Sequence, residues 1–211
     1  MRVPRPADAS AATYNCQSGR HPPHDTAVAA IAAFQREELQ GGRAVELGCG
    51  AGRDTLALLE AGFRVTSIDR DERSLELLRG RLEPLKAEKT SLLLTDFERA
   101  DWPRADLVCA SRSLHCCHPR SFPRVWSRIV ASLRIGGRFA GHFLGERDGW
   151  ASRADLSHVR RESLDDLLRG FEVELLREEE REGEVLEAGA LVPHRWHLWH
   201  VVARLGEGRA E

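Results

Sequence analysis

No stretch of the 211 residues approaches the ~20 consecutive apolar positions of a membrane-spanning helix. The formal net charge is -2, so the chain lacks the global basic field that draws nucleic acid. The opening residues, "MRVPRPADASAAT", lack the apolar segment of a secretory signal and read as a loose leader. The five cysteines, Cys16, Cys49, Cys109, Cys116 and Cys117, are odd in number and show no repeated pairing. That argues against a disulfide framework and for reduced thiols in the cytoplasm. Lysine is nearly missing: Lys86 and Lys89 stand alone against many arginines, a pattern that reads as coding bias.

What is present is an alternation. At roughly 100–200 residues per domain, a single domain over 1–211 is expected. Residues 1–13 and 206–211 are read as loose ends. A helix is expected over 24–40, with Asp25 as N-cap and Gly41-Gly42 as its stop. Strands are expected at 43–47, 64–68, 91–95, 105–110 and 138–144. Helices fall between them at 54–61, 73–83 and 122–134, and a further helix at 162–170 takes Ser163 as its cap. Two last strands, 171–180 and 194–205, follow one another as a hairpin around "REGEVLEAGALVP". This order predicts an α/β three-layer sandwich: a mostly parallel, seven-stranded, Rossmann-like sheet with an antiparallel last strand.

"VELGCGAGRD" places Gly48, Gly50 and Gly52 between a strand and a helix. Glycine serves there because the backbone takes φ > 0 or lets a ligand approach closely. The helix that follows presents free N–H groups to that ligand. The dinucleotide fingerprint G-x-G-x-x-G fails, because Arg53 stands where the third glycine or alanine belongs. The phosphate-binding G-K-[ST] is also missing. Glu46 precedes the turn, and Asp69 ends the next strand, where a carboxylate can hold both ribose hydroxyls. A carboxylate at 46 suits a cofactor with a cationic end and would repel a pyrophosphate. S-adenosylmethionine, with its sulfonium and ammonium groups, fits such a place.

Residues 43–144 resemble the class I S-adenosylmethionine-dependent methyltransferases, with "ELGCGAG" as the first motif. Within them, "LGCGAGRDTLALLEAGFRVTSIDRDERSLELL" is most similar to the small tellurite-resistance-type enzymes. These share a tyrosine-bearing segment and an arginine ahead of the first helix, as in "YNCQSGRHPPHDTAV". The resemblance implies that Glu46, Gly48, Cys49, Gly50 and Gly52 face the methionine part of the cofactor. It implies that Asp69 holds the ribose, that Arg70 lies along the adenine, and that Asp96 and Phe97 flank the adenine. Ser111 would line the pocket. Tyr14 and Arg20 would close over the cofactor, with Arg20 suited to its carboxylate. Asp96 also reads as a loop cap, and Tyr14 as a packing residue.

Methyl transfer from a sulfonium is an in-line displacement, so alignment matters more than a general base. His115, in "LHCCHP" after the fourth strand, is the candidate base or substrate contact. The adjacent Cys116 and Cys117 lack the C-x₂₋₄-C spacing of a zinc site, and no metal is expected. His194, His197 and His200 in "HRWHLWH" are spaced by three and cannot converge on one strand. The run "REEEREGE" reads as a solvated hairpin tip, and 145–163 as a lid carrying Trp150, His158, Arg160 and Arg161. The leading expectation is a methyltransferase acting on a small molecule, as a monomer or homodimer, with no nucleic-acid or membrane partner. A cofactor-binding accessory protein, a macromolecule methyltransferase and an NAD-dependent oxidoreductase are the alternatives.

Overall fold

A computed structural model describes residues 21–39, 41–187 and 189–207. Helix α1 (Asp25–Arg36) leads into β1 (Gly42–Leu47), α2 (Arg53–Glu60), β2 (Phe63–Asp69) and α3 (Glu72–Arg81). The single turn α4 (Pro84–Ala87) precedes β3 (Thr90–Leu94) and β4 (Ala105–Ala110). Then come α5 (Phe122–Ser132), β5 (Leu133–Leu144), α6 (Arg161–Leu167), β6 (Phe171–Glu187) and β7 (Ala190–Leu205). The seven strands form one sheet in the order β3-β2-β1-β4-β5-β7-β6. Neighbouring strands from β3 to β5 pair in parallel, and β7 runs antiparallel to both β5 and β6. The expected architecture and the antiparallel last strand are therefore both present.

The inner strands are buried on both faces, which is why they read as near-continuous apolar runs. In β4, Leu107 and Cys109 meet Phe34 of α1 and Leu58 of α2 on one face. Val108 and Ala110 join Trp126 and Ile129 of α5 and Leu164 of α6 on the other. Arg138 of β5 lies in the first of these faces at 1% exposure, stacked 4.7 Å from the Phe34 ring centroid. It is paired with Glu37 after α1 and Glu174 of β6, which ties the first helix to the far side of the sheet.

Several boundaries differ from the sequence reading. β5 begins at Leu133, five residues early, and its pairing with β4 shifts register between Ala105 and Leu107. The hairpin loop expected over 181–193 is strand through nearly all of its length, as β6 runs to Glu187 and β7 starts at Ala190. "REEEREGE" is thus the body of a charged edge strand rather than a tip. Dense charge on an exposed edge hides strand pattern and also discourages edge-to-edge pairing. His24, not Asp25, is the N-cap of α1, and Arg160, not Ser163, precedes α6.

Candidate active site

The glycine turn is shaped by its neighbours. Gly48 and Gly52 adopt φ of +75° and +84°. A Cβ on Gly48 would lie 2.5 Å from the Ser113 Cβ, and one on Gly52 would lie 2.2 Å from Leu78 Cδ1. The turn is therefore wedged between the segment after β4 and helix α3. The Gly48 and Cys49 N–H groups donate to the Ile68 carbonyl at 2.8 and 3.1 Å. Asp69 completes the lock: its Oδ2 accepts from the Gly50 N–H at 2.7 Å and its Oδ1 from the Asp71 N–H at 2.9 Å. Each carboxylate oxygen keeps a second lone pair for a ligand hydroxyl. Burial raises the Asp69 pKa, with its backbone bonds opposing that shift. The cradle fits a ligand that presses on bare backbone, as the cofactor inferred from sequence would.

Glu46 lies near the end of β1, just before the glycine turn. It is 4% exposed and accepts a hydrogen bond from the Thr55 hydroxyl in the first turn of α2. Burial, with Asp54 nearby, lifts its pKa well above the carboxylate range. It lies behind the start of α2. Cys49 is buried beside it. Arg70 is exposed at the rim. Thr95 N–H donates to the Asp69 carbonyl at 2.9 Å, which brings the half-buried Asp96 beside β2. The Asp96 carbonyl accepts from Arg99 and Ala100, and Phe97 packs against the main core. Tyr14 and Arg20 lie outside the described residues.

The segment after β4 carries the next groups. The Ser113 hydroxyl donates to the Leu47 carbonyl at 2.5 Å, joining this segment to the end of β1. Ser111 Oγ is buried with no hydrogen-bond partner among the described residues, although it lies close enough to Asp54 to help lower that carboxyl's pKa. Arg112 stands at φ +51°, a left-handed conformation that bulky residues avoid. His115 occupies a 3-10 turn, Leu114–Cys116, with its ring 6.1 Å from that of Trp150. Burial pulls its pKa down, but Cys116 and Asp148 outweigh that and raise it. The exposed Cys116 is correspondingly lowered: crowding pushes it up, and His115 then outweighs the push. Cys117, buried against Glu98, is pushed up to about 12.

A second polar group forms on the same edge from four elements. His142 on β5 faces His200 on β7, and His200 faces Arg177 on β6, one row across three strands. His142 Nε2 lies 3.1 Å from His200 Nδ1 and 3.3 Å from Asp25 Oδ1 at the start of α1. The Arg112 N–H donates to His142 Nδ1 at 3.3 Å, which assigns the ring proton to Nε2. Arg177 Nη2 bonds Asp25 Oδ2 and His200 Nδ1, and His200 Nε2 meets Glu179 at 3.0 Å. Burial holds the His142 pKa down to about 4. Next to it, His24 Nδ1 meets Asp54 at 3.0 Å while Arg53 Nη1 reaches His24 Nε2 at 2.9 Å. Arg53, which excluded the dinucleotide fingerprint, thus clamps the approach to α1.

The three histidines of β7 go to three different partners. His194 bonds Asp148 at 2.9 Å, His197 bonds Glu178 at 3.0 Å, and His200 joins the row just described. The segment expected as a lid is pinned by these contacts. Asp148 also accepts from the His197 N–H, and Trp150 Nε1 donates to Glu187 at 2.8 Å. It does border the His115 turn, since Ser157 N–H donates to the His115 carbonyl at 2.9 Å. The roles of Asp25, Arg112 and Arg177 beside His142 escaped the sequence reading, because cross-strand register places Arg177 and the packing of α1 and of the segment after β4 places the other two.

Fold and site define a class. Residues 44–137 match the protein family described as a methyltransferase domain. That stretch is similar to a methyltransferase domain, and the sheet as a whole has the fold of solved S-adenosylmethionine-dependent methyltransferases. TehB from Haemophilus influenzae superposes with a TM-score of 0.67 at 18% identity, covering 83% of this chain and 61% of that one. The 1,6-didemethyltoxoflavin-N1-methyltransferase of Burkholderia thailandensis, with bound S-adenosylhomocysteine, gives 0.62 at 23% identity, covering 98% and 93%. A mitochondrial ribosomal RNA small subunit methyltransferase of Arabidopsis thaliana is 37% identical over 68 residues, 32% of this chain and 18% of that protein. The chain therefore spans about a fifth of that curated relative and about three-fifths of TehB.

Proposed function

We propose that this protein, as one domain, transfers the methyl group of S-adenosylmethionine to a small-molecule acceptor by in-line displacement. The cofactor supplies a methyl carbon on a sulfonium. The acceptor's lone pair forms the new bond while the C–S pair stays on sulfur. The observation that carries this reading is the juxtaposition at one sheet edge. The glycine turn locked by Asp69 opens beside a separate polar row on β5, β7 and β6, so a donor cradle and an acceptor side adjoin.

In this reading Asp69 holds the ribose and the Gly48–Gly52 backbone takes the methionine part. Arg70, Asp96 and Phe97 border the adenine, and Ser111 lines the middle. Glu46 serves the methionine part of the cofactor from the end of β1, held by the Thr55 hydroxyl at the start of α2. Tyr14 and Arg20 close the cofactor side. His115 is the candidate base. The net charge of -2 and the small acceptor named for the Burkholderia enzyme support a small molecule. The Arabidopsis match favours RNA as a second reading. We place the protein in the cytoplasm, as a monomer or homodimer.

The test is calorimetric titration with S-adenosylmethionine, S-adenosylhomocysteine and NAD, for the protein and for Asp69→Ala. Micromolar binding of the two adenosyl ligands, lost in the variant and not shown by NAD, is the expected result. A folded protein that ignores both ligands refutes the reading. Tight binding without turnover of any small acceptor, but with turnover of RNA, would favour the second.

A further inference from the structure

Five arginines among the described residues are buried or half-buried: Arg53, Arg112, Arg128, Arg138 and Arg204. Four of them have acceptors for their guanidinium groups. Arg53 reaches the Pro22 carbonyl, Arg128 the Ala100 carbonyl, Arg138 two glutamates, and Arg204 the Gly136 carbonyl with Glu172 nearby. Arg112 has none among the described residues. Its guanidinium carbon lies 5.7 Å from the Trp196 ring centroid, and that is its only side-chain contact of this kind. A guanidinium carries five donors, and no Arg112 nitrogen is sealed from solvent, so its unpaired donors stay open to a ligand.

Two further observations point the same way. Arg112 holds a left-handed φ of +51° without being glycine, a strain that a packed surround must enforce. Its own N–H is fixed by His142 at 3.3 Å, so the backbone is set while the side chain is left unpaired. Ser111, the preceding residue, holds a buried hydroxyl near Asp54 with no hydrogen-bond partner among the described residues.

Direction decides what these donors await. In the strand order, β2 with Asp69 lies on one side of β4, and β5 and then β7 lie on the other. Arg112 leaves the end of β4 and reaches Trp196 on β7, about two strand spacings or ~10 Å from β4. It therefore leans away from the cradle and over the edge where the acceptor side was placed. We infer that Arg112 is the anion-recognition residue of the acceptor subsite, and that the acceptor carries a carboxylate or another oxyanion. The inference rests on the proposed function. A planar oxyanion pairs with the guanidinium fork through two parallel bonds. The Ser111 hydroxyl supplies a further donor, and Trp196 backs the guanidinium.

The test titrates the S-adenosylhomocysteine-loaded protein with benzoate, benzamide and inorganic phosphate, using wild type, Arg112→Met and Arg112→Lys. Benzoate or phosphate should bind at least tenfold tighter than benzamide. That preference should vanish in Arg112→Met and survive in part in Arg112→Lys, where charge remains but the fork does not. Affinity for S-adenosylhomocysteine should change less than about twofold, and far-UV circular dichroism should show all three proteins folded. The stronger of the two anions tells a carboxylate from a phosphate-type acceptor. A tenfold or greater loss of S-adenosylhomocysteine affinity in Arg112→Met would overturn the inference, by giving Arg112 to the cofactor's own carboxylate. Equal binding of benzoate and benzamide, or anion binding that survives Arg112→Met, would also overturn it. If wild type does not bind S-adenosylhomocysteine, the proposed function fails, and the same anion titrations on the free protein still decide for or against the anion site.

Discussion

Alanine at Gly48 would drive a methyl group into the segment that follows β4. The backbone there has φ +75°, which costs an L-residue about 1–2 kcal/mol. The new Cβ would meet the Ser113 Cβ at 2.5 Å, against an optimal carbon–carbon contact of about 3.5–4.0 Å. One of the two turns must then retreat by about 1 Å, and such overpacking costs about 1–3 kcal/mol. Gly48→Ala should thus lose about 2–5 kcal/mol in urea unfolding at pH 7. Ser113→Gly gives up the bond to the Leu47 carbonyl, about 0.5–1.5 kcal/mol, and adds about 0.5–1 kcal/mol of chain freedom. In the double variant the collision is gone while the φ cost remains. It should be about 1–3 kcal/mol more stable than the sum of the singles predicts. Affinity for S-adenosylhomocysteine should follow, since a displacement of about 1 Å at such a site can cost ~100-fold. Additivity within about 0.5 kcal/mol would refute the argument that the two turns are fitted to each other.

Arg138→Met keeps an unbranched apolar stem at this position and removes the guanidinium that stacks on Phe34 and pairs with Glu37 and Glu174. The two carboxylates are part-exposed, so the loss should fall below that of a sealed pair, at about 2–3 kcal/mol by chemical denaturation at pH 7. Arg138 holds the Glu37 carboxyl below its usual range, so this stabilisation is present above the unfolded pKa and lost as pH falls through the folded one. The deficit should therefore shrink below about pH 4, and a deficit independent of pH would count against the pairing. His142 behaves likewise for a different reason. Burial holds it at about 4 against an ordinary 6.5, so the unfolded chain takes up a proton that the native state refuses. Stability should fall as pH drops from 6.5 towards 4, and His142→Gln should flatten that part of the profile. An unchanged slope would show that other groups carry it.

Much of the fold was legible because its signals are local. Each inner strand is a short apolar run, each helix a period of 3.6, and the glycines of 48–52 mark where φ turns positive. Arg53 in place of a third glycine excluded a dinucleotide turn from the sequence alone, though only the structure found it clamped to His24 and Pro22. The hairpin was misjudged because an edge strand such as β6 faces water along most of its length, and its charges then look like those of a loop. Glu46 was legible as an acid at the right spacing. Which way it faces depends on the pleat of β1 against α2, and the structure put it under Thr55.

The sequence by itself determined the strand–turn–helix order, the antiparallel last strand and the position of Asp69 at the end of β2. All three rest on neighbours in the chain, where spacing is geometry. Only the tertiary structure decided what stands opposite the cradle. Asp25, Arg112, His142, Arg177 and His200 come from four elements and the segment after β4, and the three strand residues meet because β7 enters between β5 and β6 in one particular register. A slip of one residue would turn His200 to the opposite face. Register is set by the sum of packing on both faces of the sheet, and no local pattern around any one of these residues contains it.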